Sequence, residues 1–360
     1  LAGHLLLAGY LGCGNLGDDA VMLGFGHGAS RAGFDITVLS GYPEETNRYY
    51  GYSSVPRMDM GQVEVQIKSC DALVFPGGSV FQDVTSVKSV IYYARLVTMA
   101  KKAGKKVFLV GQGVGPLKTF FGRKYAVGAF NDADGIAVRD MASLETLKEL
   151  GVKKTIRATA DCSFLMPSAP EEEDTADFSI GSMKAVGLAP RMVGKKIDVV
   201  GLFAEFCRLL YQSGSMPVII PMDRKEDGEL ALEISKRQGG RIPDLRKIMT
   251  PMQLQQRLRR MDAVVAMRLH AGILAATAGV PPLMLAYDPK VTAFSKQLGI
   301  SGALNLEGLT PTRMLDAFVS FHKDHDRNVK LVEKKTEELR KMAEGNVELV
   351  VLGMGGRTLA

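Results

Sequence analysis

Tryptophan is absent from the 360 residues, and histidine and cysteine are scarce at five and four. With no indole, a tryptophan platform for stacking sugar rings is excluded. Cys13, Cys70, Cys162 and Cys207 are scattered, without the spacing of a disulfide scaffold or a zinc knuckle. They read as free, mostly buried thiols in a reducing cytoplasm. The histidines show no zinc spacing either, so no metal is expected. No apolar run approaches the ~20 residues that span a bilayer. The start, residues 1–7, has no basic segment and reads as a strand rather than a signal peptide. No GxxxxGK[ST] loop and no GxSxG elbow occur. Charge of one sign is also modest: 45 basic against 39 acidic residues, +6. That excess is too small to imply nucleic acid, but it suits anionic small molecules or an anionic membrane surface.

What is present is an ordinary globular composition, 46% hydrophobic and 23% charged. A chain this long exceeds the ~250–300 residues at which single cores stop growing, so two domains are expected. Short apolar runs at 5–10, 35–40, 72–75, 107–110 and 135–138 alternate with helical patterns at 18–33, 87–103 and 143–150, with Ser143 as the expected cap of the last. After a polar, proline-marked linker at 167–175 the alternation resumes. Strands are expected at 185–188, 217–220, 263–266 and 283–286, and helices at 198–212, 228–238, 252–261 and 271–278. This β-loop-α repetition predicts α/β architecture, two Rossmann-like domains of parallel sheet covered by helices and facing across a cleft. The expected division is 1–167, 177–305 and a helical segment, 306–350, packing back across the domains. A charged helix starts at Thr310-Pro311 and runs towards 343. The tail 352–360 reads as frayed.

Three glycine-rich segments follow predicted strands, and ligands bind at strand C-terminal ends in such sheets. The first, Gly12-Cys13-Gly14-Asn15-Leu16-Gly17-Asp18-Asp19, superficially matches a dinucleotide fingerprint. Asp18 and Asp19 in the first helical turn would repel a pyrophosphate. Asn15 and Asp18 suit sugar hydroxyls, and Asp18 could accept a hydroxyl proton; equally, both acids could serve only the helix dipole. The second, Pro76-Gly77-Gly78-Ser79, offers close backbone approach and a hydroxyl, or simply a turn. The third runs from Gly111-Gln112-Gly113 to Pro116.

Cations mark the remaining strand ends. Arg139 follows an apolar strand and precedes Asp140, so it is either a local ion pair or a fork for a carboxylate or phosphate. Arg268 and His270 flank Leu269, and if they continue the strand they share a side. A histidine at a helix start beside an anion would be protonated and could act as an acid. Lys290 follows Asp288-Pro289 and could pair with Asp288. Asp161 and Asp223 are further candidates to face the cleft.

The ordered set Gly14-Asn15-Leu16-Gly17-Asp18-Asp19, Phe75-Pro76-Gly77-Gly78-Ser79, Gly111 to Pro116, Ala137-Val138-Arg139-Asp140, Met267-Arg268-Leu269-His270-Ala271 and Tyr287-Asp288-Pro289-Lys290 resembles the polysaccharide pyruvyl transferase family. It is most similar to the bacterial enzymes that pyruvylate a cell-wall polysaccharide precursor. The resemblance implies a two-domain fold like that of GT-B glycosyltransferases, with phosphoenolpyruvate as co-substrate and no cofactor. It implies a pyruvate ketal bridging two hydroxyls of one sugar, N-acetylmannosamine carried on a polyprenyl diphosphate, and release of phosphate. Donor binding would fall on Arg139, Arg268 and Lys290, with His270 and Asp18 catalytic. Asn15, Gly17, Gly77, Gly78, Ser79 and Gln112 would be acceptor or loop contacts. Asp19 stands where relatives often carry Glu. A cytoplasmic protein touching the inner face of the membrane follows from the lipid-linked acceptor. Two other classes fit the cations: a GT-B-type glycosyltransferase with a nucleotide-sugar donor, and a non-enzymatic anion-binding module.

Overall fold

A computed structural model describes residues 3–84, 86–170, 183–194, 196–300 and 303–356. Residues 171–175 of the expected linker and 357–360 of the expected frayed tail lie outside the described residues. The chain divides into two compact units. The first comprises Leu1–Cys13, Asp18–Pro167 and Glu338–Ala360; the second comprises Gly14–Gly17 and Ser168–Glu337.

The first unit contains β1 (Gly3–Leu7), α1 (Leu16–Arg31) from Asp18 on, β2 (Phe34–Ser40), α2 (Pro43–Tyr50), β3 (Ser53–Pro56), α3 (Met60–Ser69), β4 (Ala72–Phe75), β5 (Gly78–Phe81), α4 (Val87–Lys102), β6 (Lys106–Val114), α5 (Phe120–Asp132), β7 (Gly135–Val138), α6 (Met141–Glu149) and β8 (Arg157–Ala158). Its strands pair in parallel in the order β3-β2-β1-β4-β6-β7-β8, with β5 alongside β6. Leu5, Leu6 and Leu7 are all buried because both faces of the sheet are covered. Side chains alternate as strands require. Leu6, Leu73, Phe75, Val107 and Leu109 pack on one face with Val90, Leu96, Val97 and Phe130 of α4 and α5. Leu5, Leu7, Val74, Phe108 and Val110 pack on the other with Val21 and Phe25 of α1. Val347, Val350 and Val351, from the far end of the chain, complete that second face.

The second unit contains β9 (Lys184–Ala189), α7 (Val199–Gln212), β10 (Ser215–Ile219), α8 (Glu226–Arg237), α9 (Pro251–Leu258), β11 (Ala263–Ala266), α10 (Leu269–Thr277), β12 (Pro282–Ala286), α11 (Pro289–Leu298), β13 (Leu304–Asn305) and α12 (Pro311–Lys323). Its parallel sheet has the order β10-β9-β11-β12-β13. The last helix, α13 (His325–Gly353), starts among the residues of this unit and ends among those of the first.

Several local expectations change. The second and third glycine segments are not plain loops. Gly77 and Gly78 turn the chain at φ 140° and 84°, which favour glycine, and the chain re-enters the sheet as β5. Gly78 and Phe81 register with Gln112 and Val114, so β6 runs through the third segment. Asp140, not Ser143, caps α6, accepting from the Ser143 N–H at 2.7 Å. A carboxylate there also meets the positive end of the helix. The Ser143 hydroxyl instead accepts from Val114 N–H at 3.0 Å. The expected single C-terminal helix is two, broken at Asp324, and the second extends to Gly353, so residues 352 and 353 are helical. The strand of 263–266 does not continue to His270: Arg268 occupies the position before α10 without capping it, and His270 lies in the helix's first turn. All four cysteines are free thiols. Burial pushes the Cys70 thiol up to about 11 and Cys207 up to about 12, which keeps both protonated and inert.

Candidate active site

In the second unit, chemistry collects where β9, β11 and β12 end. Ala189 and Ala266 are register partners, so Arg191 and Arg268 each stand two residues beyond matched positions on neighbouring strands. Arg268 is 9% exposed and fixed by Asp227: its Nε donates to Oδ2 at 2.9 Å and its Nη2 to Oδ1. Burial opposes the Arg268 charge, Asp227 outweighs it, and the pKa stands above the ordinary arginine value. Asp227 also accepts from the N–H groups of Met222 and Asp223 at 3.1 and 3.0 Å, tying Arg268 to the loop after β10.

Arg191 is different. Its Nη1 donates to the Tyr287 hydroxyl at 2.8 Å and its guanidinium lies 5.4 Å from that ring's centroid. Among the described residues no carboxylate pairs with it. Lys290 sits in the first turn of α11, its Nζ 3.5 Å from Asp288, which caps the same helix. Helix α10 has no side-chain cap, because the residue in the cap position is an arginine, which can only donate. An arginine in the cap position, a histidine and the first N–H groups of a helix share one corner. That corner presents donors and positive charge, the complement of a phosphate or carboxylate.

His270 is held by contact with a distant glycine. A Cβ on Gly17 would sit 2.4 Å from the His270 Nδ1, so only glycine leaves room for the ring. Gly17 is delivered there by the first glycine segment. Leu16 N–H donates to the Met222 carbonyl at 2.8 Å, Arg224 N–H donates to the Gly14 carbonyl at 2.9 Å, and Asn15 bridges antiparallel to Asp223. Asn15 Oδ1 accepts from Gly17 N–H at 3.0 Å, fixing the turn. Asn15 and Gly17 therefore belong with His270 in the second unit.

In the first unit, Arg139 is 5% exposed. Its Nη1 donates to Asp161 at 2.9 Å, its Nη2 to the Ser79 hydroxyl at 3.1 Å, and its Nε lies 3.5 Å from Asp140. Burial works against this charge and the two carboxylates outweigh it, raising the pKa. Gly113 passes beneath, where a Cβ would meet the guanidinium at 2.5 Å. The structure thus joins Ser79, Gly113, Arg139, Asp140 and Asp161 into one network around a buried guanidinium. Gln112 is fully buried, its amide donating to the carbonyls of Phe75 and Val110 at 2.9 Å each, where β4 and β6 diverge. Asp19 is structural: it accepts from Gly12 N–H at 2.8 Å and from the Tyr50 hydroxyl at 3.2 Å. Asp18 lies against the backbone at Gly78, where a Cβ would come within 3.1 Å of its Oδ1.

Two arginines escaped the sequence reading. Arg191 follows Ala189-Pro190 at a strand end, the same signal that marks Arg139. Arg57 offered no signal: its Nη2 donates to Tyr93 at 2.8 Å and it lies over the rings of Tyr10, Tyr92 and Tyr93. The histidines also gain a neighbour invisible in the spacing. Asp262, His322 and His325 bring donor atoms within 4.8 Å of one another. The ammonium of Lys184, 2.9 Å from Asp262, already supplies a cation there.

A family model for polysaccharide pyruvyl transferases matches residues 15–289, from Asn15 through the start of α11. The chain belongs to the polysaccharide pyruvyl transferase family. Membership makes it a transferase, and the fold agrees with that of sugar-modifying enzymes of GT-B type. A UDP-N-acetylglucosamine 2-epimerase structure from Listeria monocytogenes superposes with TM-score 0.69 at 12% identity, covering 97% of this chain and 95% of that one. A UDP complex of MnaA from S. aureus gives 0.66 at 11% identity, covering 99% and 98%. HepE from Anabaena with UDP-glucose gives 0.59 at 12%, covering 98% of each chain. At such identities the likeness is one of fold. No curated protein matches the chain. No helix among the described residues is long and apolar enough to cross a membrane.

Proposed function

We propose that this transferase moves the three-carbon unit of phosphoenolpyruvate onto two hydroxyls of one sugar, closing a pyruvate ketal and releasing phosphate. The observation that carries the reading is the start of α10, which has no side-chain cap, bears Arg268 and His270, and neighbours the carboxylate-free Arg191. Phosphoenolpyruvate brings a carboxylate and a phosphate, and those groups need such donors. Arg191 grips one anionic end as a planar fork, and Lys290 meets the other as a point charge. Arg268, occupied by Asp227, fixes the corner and adds its field. Arg139 holds Ser79 of β5, and Asp18 of α1 lies against Gly78 of the same strand, on the acceptor side.

The bond changes balance with these groups. A proton from His270 goes to the methylene carbon of the enol as the first hydroxyl oxygen bonds to C2. The C2–O bond to phosphate then breaks and phosphate departs. The second hydroxyl oxygen bonds to C2 and the ketal closes. Two hydroxyl protons are lost; one balances the proton delivered to carbon and the other leaves with phosphate. Asp18 accepts a hydroxyl proton. The motif set favours N-acetylmannosamine on a polyprenyl diphosphate as acceptor, which would place the reaction in the cytoplasm at the inner face of the membrane.

The deciding experiment measures phosphate released from phosphoenolpyruvate with and without a lipid-linked N-acetylmannosamine disaccharide. Acceptor-dependent release and a product heavier by one pyruvate ketal are expected. No release, combined with thermal stabilisation by a UDP-sugar alone, would replace this reading with a nucleotide-sugar transferase.

A further inference from the structure

We propose that the start of α5 is a docking surface for an anionic lipid bilayer. Phe120 and Phe121 open this helix 73% and 58% exposed, their ring centroids 5.6 Å apart. Tyr125, one turn on, is 42% exposed, and Val84 is 60% exposed. The core does not need them: α5 buries a complete stripe of Ala126, Ala129 and Phe130. Nor are they at the end of a loose loop. Asp83 accepts from Lys118 N–H and Thr119 N–H at 2.7 Å each and from the Thr119 hydroxyl at 2.6 Å. Thr119 in turn caps α5 through Gly122 N–H at 2.9 Å. Val84 directly follows Asp83, the residue whose carboxylate clamps the start of α5. An exposed aromatic cluster on a rigid mount marks an interaction site.

Charge selects the partner. Residues 84–131 contain no aspartate or glutamate and nine lysines and arginines, more than the +6 of the entire chain. Lys88, Lys118, Arg123 and Lys124 are exposed on or beside the first turns of α4 and α5. Lys101 and Lys106, at the other end of the sheet, are occupied by Asp134. Aromatic side chains ringed by basic ones are the composition of a surface that inserts shallowly among anionic headgroups. A second copy of the chain is a poor occupant, because a symmetric contact would set the same cations against themselves. The strands are parallel, so α1, α4 and α5 all begin at their C-terminal ends. The patch therefore shares its end of the first unit's sheet with Asp18 and Gly78, and a docked bilayer would lie near the proposed acceptor residues.

The test reads binding, not catalysis, so its failure is distinguishable from failure of the pyruvyl-transfer reading. The whole chain is co-sedimented with vesicles of equimolar phosphatidylglycerol and phosphatidylcholine, and with phosphatidylcholine alone. Binding is expected only to the anionic vesicles. The variant Phe120→Ser with Phe121→Ser should bind about tenfold or more weakly with unchanged melting temperature, since neither ring is in the core. Lys118→Glu with Lys124→Glu should also weaken binding, and added salt should weaken the wild type. Wild-type protein that ignores anionic vesicles, or a double phenylalanine variant that binds like wild type, would overturn the proposal. So would wild-type dimers in solution that the double phenylalanine variant abolishes.

Discussion

The ends of the two sheets hold their arginines in the same two ways. In the first unit Arg139 is buried between Asp161 and Asp140, while Arg57 lies among tyrosines. In the second, Arg268 is buried against Asp227, while Arg191 lies on Tyr287. A buried guanidinium matched by carboxylates has its charge already answered, and its removal strands an anion. A guanidinium resting on an aromatic face keeps donors for something else. The difference between the units lies in what accompanies the aromatic-held arginine. Only in the second does a described histidine stand in the first turn of a helix without a side-chain cap.

The strongest challenge to this contrast is His270→Ala, expected to slow phosphate release by about 10²–10⁴-fold with normal folding. Unchanged turnover in a steady-state assay would remove the histidine from the chemistry. Next, Arg139→Ala and Arg268→Ala should each cost about 3–5 kcal/mol in urea denaturation, because Asp161 and Asp227 would be left buried and unanswered. Arg191→Ala should cost well under that in stability and instead raise the KM for phosphoenolpyruvate. If Arg191→Ala destabilises as much as Arg268→Ala, the distinction between answered and available arginines collapses. Gly17→Ala sharpens it from the side of geometry. A methyl group there displaces the His270 side chain, so kcat should fall by up to about 10²-fold, with about 1–3 kcal/mol of stability lost to the overpacking.

The smallest effect concerns Asp83. Burial alone would raise its carboxyl, but hydrogen bonds from Lys118 and Thr119 together outweigh burial and hold it below the ordinary carboxylate range. Its folded pKa is thus lower than its unfolded value of ~3.9. The stability it contributes is present above that value and is lost as the pH falls through the folded pKa. Asp83→Ala should cost about 1–2 kcal/mol at neutral pH. The gap from wild type should close on acidification, as read by denaturation at several pH values.

Much of the architecture was legible because it is local. Residues 72–75, 135–138 and 263–266 read as buried strands and are β4, β7 and β11. Thr310 caps α12 as its side chain predicts. Misreadings arose where a local signal competed with a distant one. Glycines at 78, 111 and 113 suggested loops, yet pairing between β5 and β6 keeps them in the sheet. Ser143 reads as a cap, but its hydroxyl is taken by the N–H of Val114, 29 residues earlier, and Asp140 caps the helix instead.

Sequence alone determined the repeating strand and helix, the ordered motifs that mark the family, and the residue types gathered at strand ends. Which of those cations is answered by a carboxylate was decided only by the tertiary structure. Asp161 and Asp227 lie 22 and 41 residues from the arginines they neutralise, and Gly17 makes room for a histidine far along the chain. Charge compensation acts across space at a few ångströms, and spacing along the chain carries no record of those distances.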